Sequence, residues 1–136
     1  MVAKAEGKYI RISSTKVRMV SVLFKGRNAK QALVELTHFH KKAAHLIRKV
    51  LHSALANAKS KGYDEDKLFI SKLIANSGPT LKRFRAASFG RATPIRKRTS
   101  HILVELDSPE KLIKKAEIKT EKSRGRKFAA RTVKAK

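Results

Sequence analysis

Apolar residues recur at helical spacing in three stretches of the chain. The longest of them, residues 42–60, has an alanine-rich apolar side and predicts the central helix of the core. An earlier stretch begins at a serine suited to capping, Ser13 or Ser14, and stops at Gly26, which predicts a first helix. A second, short helix is predicted to start at Asn28. The apolar pattern therefore predicts three helices.

Three other stretches alternate between apolar and polar residues, or are rich in branched side chains, and each predicts a strand. They cover residues 8–12, 68–75 and 101–106. Antiparallel pairing of the last two strands would make residues 77–100 the far end of one long hairpin. If both twelve-residue arms stay extended, this hairpin reaches about 40 Å from the body of the protein.

The segment 77–100 carries a dense positive charge. It has too few large apolar residues to offset the roughly 1–2 kcal/mol per residue that ordering a backbone costs. A loop of this length without its own core is usually functional or disordered, so we expect an acidic partner to order it. Its seven cations, with no carboxylate among them, are Lys82, Arg83, Arg85, Arg91, Arg96, Lys97 and Arg98.

The composition of the whole chain supports the same expectation. Lys and Arg number 34 and Asp and Glu number 10, which gives a formal net charge of +24 over 136 residues. Such a charge opposes folding by self-repulsion unless a polyanion neutralises it, so nucleic acid is the leading partner class. An anionic membrane surface would also attract this charge, but no apolar run approaches the roughly 20 residues of a spanning helix. The absence of cysteine and of an apolar leader segment predicts a reducing, intracellular setting.

The length of the chain and a change of composition after Pro109 predict one domain followed by a tail. Residues 1–109 are expected to form a single domain that includes the segment 77–100. Residues 110–136 hold eleven Lys or Arg against three Glu, with few large apolar side chains. They are predicted to form a basic tail that is disordered until it is bound.

The sequence contains no recognisable catalytic or metal-binding pattern. His45 and His52 are seven positions apart on one predicted helix but have no third ligand. The acidic stretch 63–66 has the composition of a solvated turn rather than of a metal site. No glycine-rich phosphate loop or nucleophile elbow occurs. The sequence therefore predicts a binding protein without a cofactor, not an enzyme.

Phe84 and Phe89 are interspersed with the cations of segment 77–100. This mixture is typical of binding to folded RNA through phosphates and unpaired bases. Three alternatives remain open: a charged face that serves solubility, a free-standing RNA chaperone, and an architectural or compacting DNA-binding protein. The last lacks any helix-turn-helix, zinc-finger or basic-zipper pattern.

The string GPTLKRFRAASFGRATPIRKRTSHI, residues 78–102, resembles the signature of the bacterial large-subunit ribosomal protein family numbered twenty-two. That signature has a Gly-Pro-Thr or Gly-Pro-Ser start, a Gly-Arg-Ala tip and a Lys-Arg-Thr-Ser-His-Ile end. The resemblance extends upstream to the predicted first strand, first helix and long helix, and it covers about residues 6–107. Ala86-Ala87 and Pro94 depart from the family's usual pattern near the tip.

The resemblance implies an α+β fold, in which a small antiparallel three-stranded sheet packs with three helices and carries a long basic β-hairpin extension and a basic C-terminal tail. It implies a structural component of the cytoplasmic large ribosomal subunit that binds large-subunit rRNA, supports assembly and lines the polypeptide exit tunnel with its hairpin. The expected partners are that rRNA, neighbouring large-subunit proteins and the nascent polypeptide, with no membrane. The residues that the resemblance assigns to rRNA contact are Arg11, Lys16, Arg18, Lys82, Arg83, Arg85, Arg96, Lys97, Arg98 and His101, and those it assigns to the tunnel-facing tip are Phe89, Gly90 and Arg91.

Overall fold

The computed structural model describes residues 1–109, and the predicted basic tail, residues 110–136, lies outside them. Within the described part the chain forms three helices and two antiparallel sheets, so the predicted α+β class and helix count are confirmed. The helices are α1 (Ser14–Phe24), α2 (Ala29–His38) and α3 (Lys42–Lys59), and the strands are β1 (Ala3–Ile10), β2 (Phe69–Ser77), β3 (Leu81–Ala86), β4 (Ala92–Lys97) and β5 (Ser100–Asp107). Two 3₁₀ turns lie at Glu65–Lys67 and Ser88–Gly90.

The larger sheet has three antiparallel strands in the order β1-β5-β2. Its central strand β5 alternates buried and half-buried residues along its whole length, and Ile102, Val104 and Leu106 are fully buried. This period of two is the pattern that predicted the strand, because alternate side chains point to opposite faces of a sheet. The predicted antiparallel pairing of the strands at 68–75 and 101–106 is confirmed.

Helix α3 is the centre of the core. Its fully buried Ile47 and Leu51 belong to one apolar cluster with the buried face of the sheet. Three alanines of α3, Ala44, Ala54 and Ala58, are also fully buried and permit the close approach of neighbouring backbone. Removing a side chain such as that of Leu51 is the kind of change that costs about 2–5 kcal/mol of stability.

The local signals that predicted the ends of α1 and α2 act as expected in all but one case. Asn28 caps α2 by accepting hydrogen bonds from two backbone N–H groups of its first turn, and Gly26 after α1 has a φ of +82°, which glycine adopts without strain. Ser13 occupies the cap position of α1 but makes no side-chain capping bond. The hydroxyl of Ser14 instead shares a 2.9 Å hydrogen bond with that of Ser77, which ties α1 to the end of β2.

The first strand differs from the predicted one. β1 runs from Ala3 to Ile10, whereas the alternation predicted residues 8–12. The part that was missed consists of small or polar residues with weak strand preference, and it forms a strand because it pairs with β5 beneath α3. A Cβ on Gly7 would lie 2.8 Å from Ile10 and 2.9 Å from Val50 of α3, so any larger residue would have to displace these side chains. Ile12 lies beyond the strand but is buried as expected.

The smaller sheet pairs β3 with β4 and lies within the basic segment 77–100. Its strands have six residues each, shorter than the twelve-residue arms that were expected, and span about 20 Å at the usual rise. A short junction, residues 78–80 and 98–99, separates this sheet from β2 and β5. Regular β-ladder pairing is interrupted there. Every residue of β3 and β4 is exposed, so the smaller sheet has no core of its own.

In the free protein, the amides of β3 and β4 are expected to exchange with solvent far faster than those of α3. A two-stranded sheet without a core is marginal in water, whereas opening α3 requires disruption of the whole core. Hydrogen exchange should show protection factors at least about 1,000-fold lower in residues 84–92 than in residues 44–58, given a global stability of at least about 5 kcal/mol. Equal protection of the two regions would contradict this expectation.

Candidate nucleic-acid interface

A compact junction positions the smaller sheet relative to the larger one. The backbone N–H of Gly78 donates to the carbonyl oxygen of Thr99 at 3.0 Å, and the buried Thr99 hydroxyl donates to the carbonyl oxygen of Pro79 at 2.6 Å. A Cβ on Gly78 would lie 2.6 Å from the Thr99 Oγ1 atom, so glycine is required here. These contacts fix the point at which Arg98 leaves the end of β4.

Residues that are distant in the sequence meet beside this junction in one open basic pocket of about 590 Å³. Five of the predicted rRNA-contact residues line it together, with Ile12 and Ser13 as its uncharged part. The sixth cation of the pocket, Lys42, was not predicted. The cations of this basic pocket are Arg11, Lys16, Lys42, Arg96, Lys97 and Arg98.

The start of α3 adds to the positive potential of the basic pocket. Lys41 occupies the cap position without a side-chain capping bond, Lys42 is the first helical residue, and the first turn holds no acidic residue. Because the N-terminal end of a helix carries a partial positive charge, lysines there are unfavourable in isolation and favourable beside an anion. The pocket therefore presents side-chain charge and a helix dipole of the same sign.

The smaller sheet carries cations on both of its faces. The register pairs Lys82 with Arg96 on one face, and it places Arg83 and Arg85 on the other face with Lys97. All five side chains are exposed. Phe84 is 71% exposed and lies opposite Pro94. Proline is tolerated here because both strands of a two-stranded sheet are edge strands. The sheet can therefore contact polyanion on two sides.

Within residues 1–109, none of the seven cations of segment 77–100 forms an ion pair with a carboxylate. The acidic turn that follows α3 is different, because nearby lysines pair with it. Lys30 lies 2.7 Å from Asp66, and this hydrogen bond and charge raise the pKa of Lys30. Lys59 and Lys67 lie 3.9 and 3.7 Å from carboxylates of the same turn. Among residues 1–109, carboxylates therefore pair with the lysines near the acidic turn but not with the cations of segment 77–100.

Two predicted contact residues are engaged within the protein. The Nε atom of Arg18 donates to the carbonyl oxygen of Ala75 at 2.9 Å, which joins α1 to β2. His101 is half-buried, and its Nδ1 accepts a 3.1 Å hydrogen bond from the backbone N–H of Tyr9. Neither residue lines the basic pocket. The structure therefore gives both side chains a role in packing that the sequence did not reveal.

The tip between β3 and β4 is closed by a 2.8 Å hydrogen bond from the Ala87 N–H to the Arg91 carbonyl oxygen. Phe89 has a φ of 55°, in the left-handed region, and Gly90 has a φ of 69°. The Phe89 side chain is 99% exposed. A large aromatic residue held in this backbone conformation and packed against nothing in the described chain is typical of a contact with another molecule.

Residues 1–109 contain no group of three or more His, Asp or Glu side chains that could hold a metal ion. No helix in that range is long and apolar enough to cross a membrane. The arrangement offers exposed cations, a junction and an aromatic tip, which suit binding rather than chemistry.

A basic α+β protein whose cations converge in this way has the features typical of polyanion-binding proteins, and comparison with known proteins identifies its family. Residues 5–107 match the family described as Ribosomal protein L22p/L17e. The chain is 49% identical over 105 residues to the large ribosomal subunit protein uL22 of Metamycoplasma hominis. The aligned region covers 76% of this chain and 81% of the relative. The proteins of the same name from Clostridioides difficile and Desulfatibacillum aliphaticivorans are 48% and 49% identical, over 76% and 79% of this chain and 95% and 99% of theirs.

The chain belongs to the L22p/L17e family of ribosomal proteins. Membership confirms the family suggested by residues 78–102, and it confirms a structural ribosomal protein rather than an enzyme. It also confirms the ribosomal, cytoplasmic location. The matched range nearly coincides with the range over which the sequence resembled the family, and it ends at the last residue of β5.

Proposed function

We propose that this protein is a structural component of the large ribosomal subunit that binds large-subunit rRNA, supports assembly of the subunit, and lines the polypeptide exit tunnel with its hairpin. One observation carries the rRNA part of the proposal, namely the meeting of six cations from three regions of the chain in one basic pocket. The family supports the ribosomal part. Residues 1–109 act as a single domain in this proposal, with the basic tail as an additional contact.

The basic pocket suits a folded RNA backbone. Guanidinium groups donate in a planar fork that matches phosphate, and half or more of the hydrogen bonds in nucleic-acid complexes go to phosphate and sugar. Three of the six cations are arginines, at positions 11, 96 and 98, and the three lysines supply mobile point charges. The pocket is open to solvent and has a volume of about 590 Å³, so it can accept a phosphate together with its sugar.

The smaller sheet is the basic hairpin extension in this proposal. Cations on both faces allow it to lie between RNA segments, and their repulsion in the free protein is relieved when phosphates surround them. The tip holds only one of the seven cations, Arg91, and is otherwise small apart from Phe89. Such a tip would present little charge to a nascent polypeptide, which must pass without sticking.

A neighbouring large-subunit protein is proposed to cover an apolar groove that adjoins the basic pocket and shares Ile12, Lys16 and Lys42 with it. Met19 and Leu23 of α1 are 72% and 47% exposed, and with Phe39 they line a groove of about 520 Å³. Lys16, Lys41 and Lys42 border this groove. A protein segment with apolar and acidic side chains would complement both features, because large exposed apolar patches on a soluble domain usually mark interfaces.

The salt dependence of rRNA binding tests the basic pocket. Replacing Arg96, Lys97 and Arg98 with Gln is expected to make the log–log slope of affinity against salt shallower by about two to three units, at about 0.7–0.9 per phosphate contact. Filter binding of the full chain to transcribed large-subunit rRNA measures the slope.

The matched control replaces Lys30, Lys59 and Lys67 with Gln, which removes the same charge beside the acidic turn. This variant should keep the wild-type slope. Equal slopes for both triple variants would show that net charge, and not the basic pocket, governs binding. Affinity for duplex DNA equal to that for rRNA would favour the DNA-binding alternative.

A further inference from the structure

Strand β1 contains an irregularity directly opposite His101. Between the ladder pairs formed by Gly7 and by Ile10, two residues of β1, Lys8 and Tyr9, lie opposite one residue of β5. This β-bulge holds Tyr9 at a φ of 55°, in the left-handed region where glycine is normally found. Bulges re-aim side chains, and a bulky residue kept in a disfavoured backbone conformation is a reason to look for a function.

The Tyr9 ring is held in place and yet open to solvent. It contacts the His101 ring edge-to-face, with 4.8 Å between the centroids and an interplanar angle of 85°. The Tyr9 N–H donates to His101 Nδ1, so backbone and ring are fixed by the same partner. The His101 ring also packs closely against Gly78, since a Cβ at that position would lie only 3.0 Å from the His101 Nε2 atom. Despite these contacts Tyr9 is 63% exposed.

Tyr9 does not line the basic pocket, but Tyr9 and its partner His101 are close in sequence to residues that do. Arg11 follows Tyr9 by two residues, and Arg98 precedes His101 by three, and both arginines line that pocket. Because two residues span at most about 7 Å of chain, RNA held by Arg11 is within reach of the ordered Tyr9 ring. Aromatic side chains bind unpaired bases by stacking on them, whatever the base, and this mode is the usual way in which proteins hold single-stranded RNA.

We infer that Tyr9 is a stacking site for one unpaired nucleobase of the RNA bound in the basic pocket, and that His101 is the residue that positions it. This inference rests on the proposed rRNA binding and deepens it, because it adds a base contact to a set of phosphate contacts. It also gives the bulge a purpose, since a regular β1 would place one residue fewer between Gly7 and Ile10.

Filter binding to transcribed large-subunit rRNA tests the stacking site in four variants of the full chain. The substitutions are Tyr9→Ala, Tyr9→Gly, Tyr9→Phe and Tyr9→Trp. Ala and Gly are expected to weaken binding about 5- to 100-fold, and Phe and Trp to stay within about threefold of wild type. The salt slope should not change, because no charge is removed. Gly suits the left-handed backbone, so this variant separates loss of the ring from loss of the fold, which a thermal melt checks. The other tyrosine of the chain provides the control, and Tyr63→Ala should bind as wild type.

A double-mutant cycle tests the positioning role of His101. His101→Ala is expected to weaken rRNA binding, but adding it to Tyr9→Ala should produce no further loss, because His101 acts through the ring that is already absent. Independent losses that multiply would overturn the positioning role. A merely structural histidine would lower the melting temperature without this non-additivity.

Three results would overturn the stacking site: Ala and Gly variants that bind as wild type, a Phe variant as weak as the Ala variant, or a shallower salt slope in any of them. The second result would point to the hydroxyl group, and the third to phosphate contacts. If instead the wild-type chain shows no salt-dependent binding to the rRNA, the proposed function fails, and the stacking site fails with it.

Discussion

Replacement of Arg96, Lys97 and Arg98 together by Glu is expected to keep the protein out of large ribosomal subunits. The structure places these exposed side chains in the basic pocket, with no carboxylate partner within residues 1–109. The change turns three attractive contacts with phosphate into three repulsions. Charged hydrogen bonds contribute about 1.5–3 kcal/mol each, so affinity for rRNA should fall at least about 1,000-fold.

Incorporation can be measured by expressing a tagged variant beside the untagged protein and quantifying the tag in purified large subunits. The control is Lys30, Lys59 and Lys67 replaced by Glu, which changes the formal charge by the same six units at the acidic turn. Because RNA is expected to avoid that turn, the control should be incorporated. A thermal melt shows whether both variants fold. Normal incorporation of the pocket variant would place the rRNA contacts elsewhere on the protein.

The sequence predicted the helices because their apolar positions form continuous stripes at a period of 3.6. α3 ends one residue before the predicted end, and α2 begins one residue after its Asn28 cap. β5 was predicted equally well, since Ile102, Val104 and Leu106 alternate with half-buried residues. In these elements local preference and tertiary packing favour the same structure, which is the condition under which a sequence pattern suffices.

The parts that the sequence did not predict depend on contacts between distant residues. The beginning of β1 has no strong strand preference and is ordered by pairing with β5. The meeting of Lys42 with Arg11 and with residues 96–98 depends on how α3 packs against the sheet, which no local pattern encodes. The bulge at Tyr9 was missed for the same reason, because it is defined only by the register with β5.

The charge density of the sequence already distinguishes the two arms of segment 77–100 from its tip, and the structure gives the distance between the tip and the basic pocket. Arms rich in Lys and Arg flank a tip with one cation, and the register now shows Ala86 opposite Ala92 at the last ladder pair before the tip. The basic pocket lies at the opposite end of the smaller sheet, where Lys97 pairs with Leu81. The basic pocket and the tip are therefore separated by the length of a six-residue strand, about 20 Å.

Replacing residues 87–91 with Asn-Gly is expected to leave incorporation into large subunits unchanged while altering the behaviour of nascent chains in the tunnel. Asn-Gly closes a two-residue hairpin turn, so the Ala86–Ala92 pair and all the cations of the two arms stay in place. The variant removes the fully exposed Phe89 and the single tip cation Arg91, and the wall that the tip forms in the proposed function would change in shape and charge.

Release of a tunnel-sensing stalling peptide, or sensitivity to a tunnel-binding drug, should shift severalfold against wild-type ribosomes. Phe89→Ala alone should produce part of that shift. If the Asn-Gly variant fails to incorporate while the triple Glu variant assembles normally, the tip rather than the arms anchors the protein.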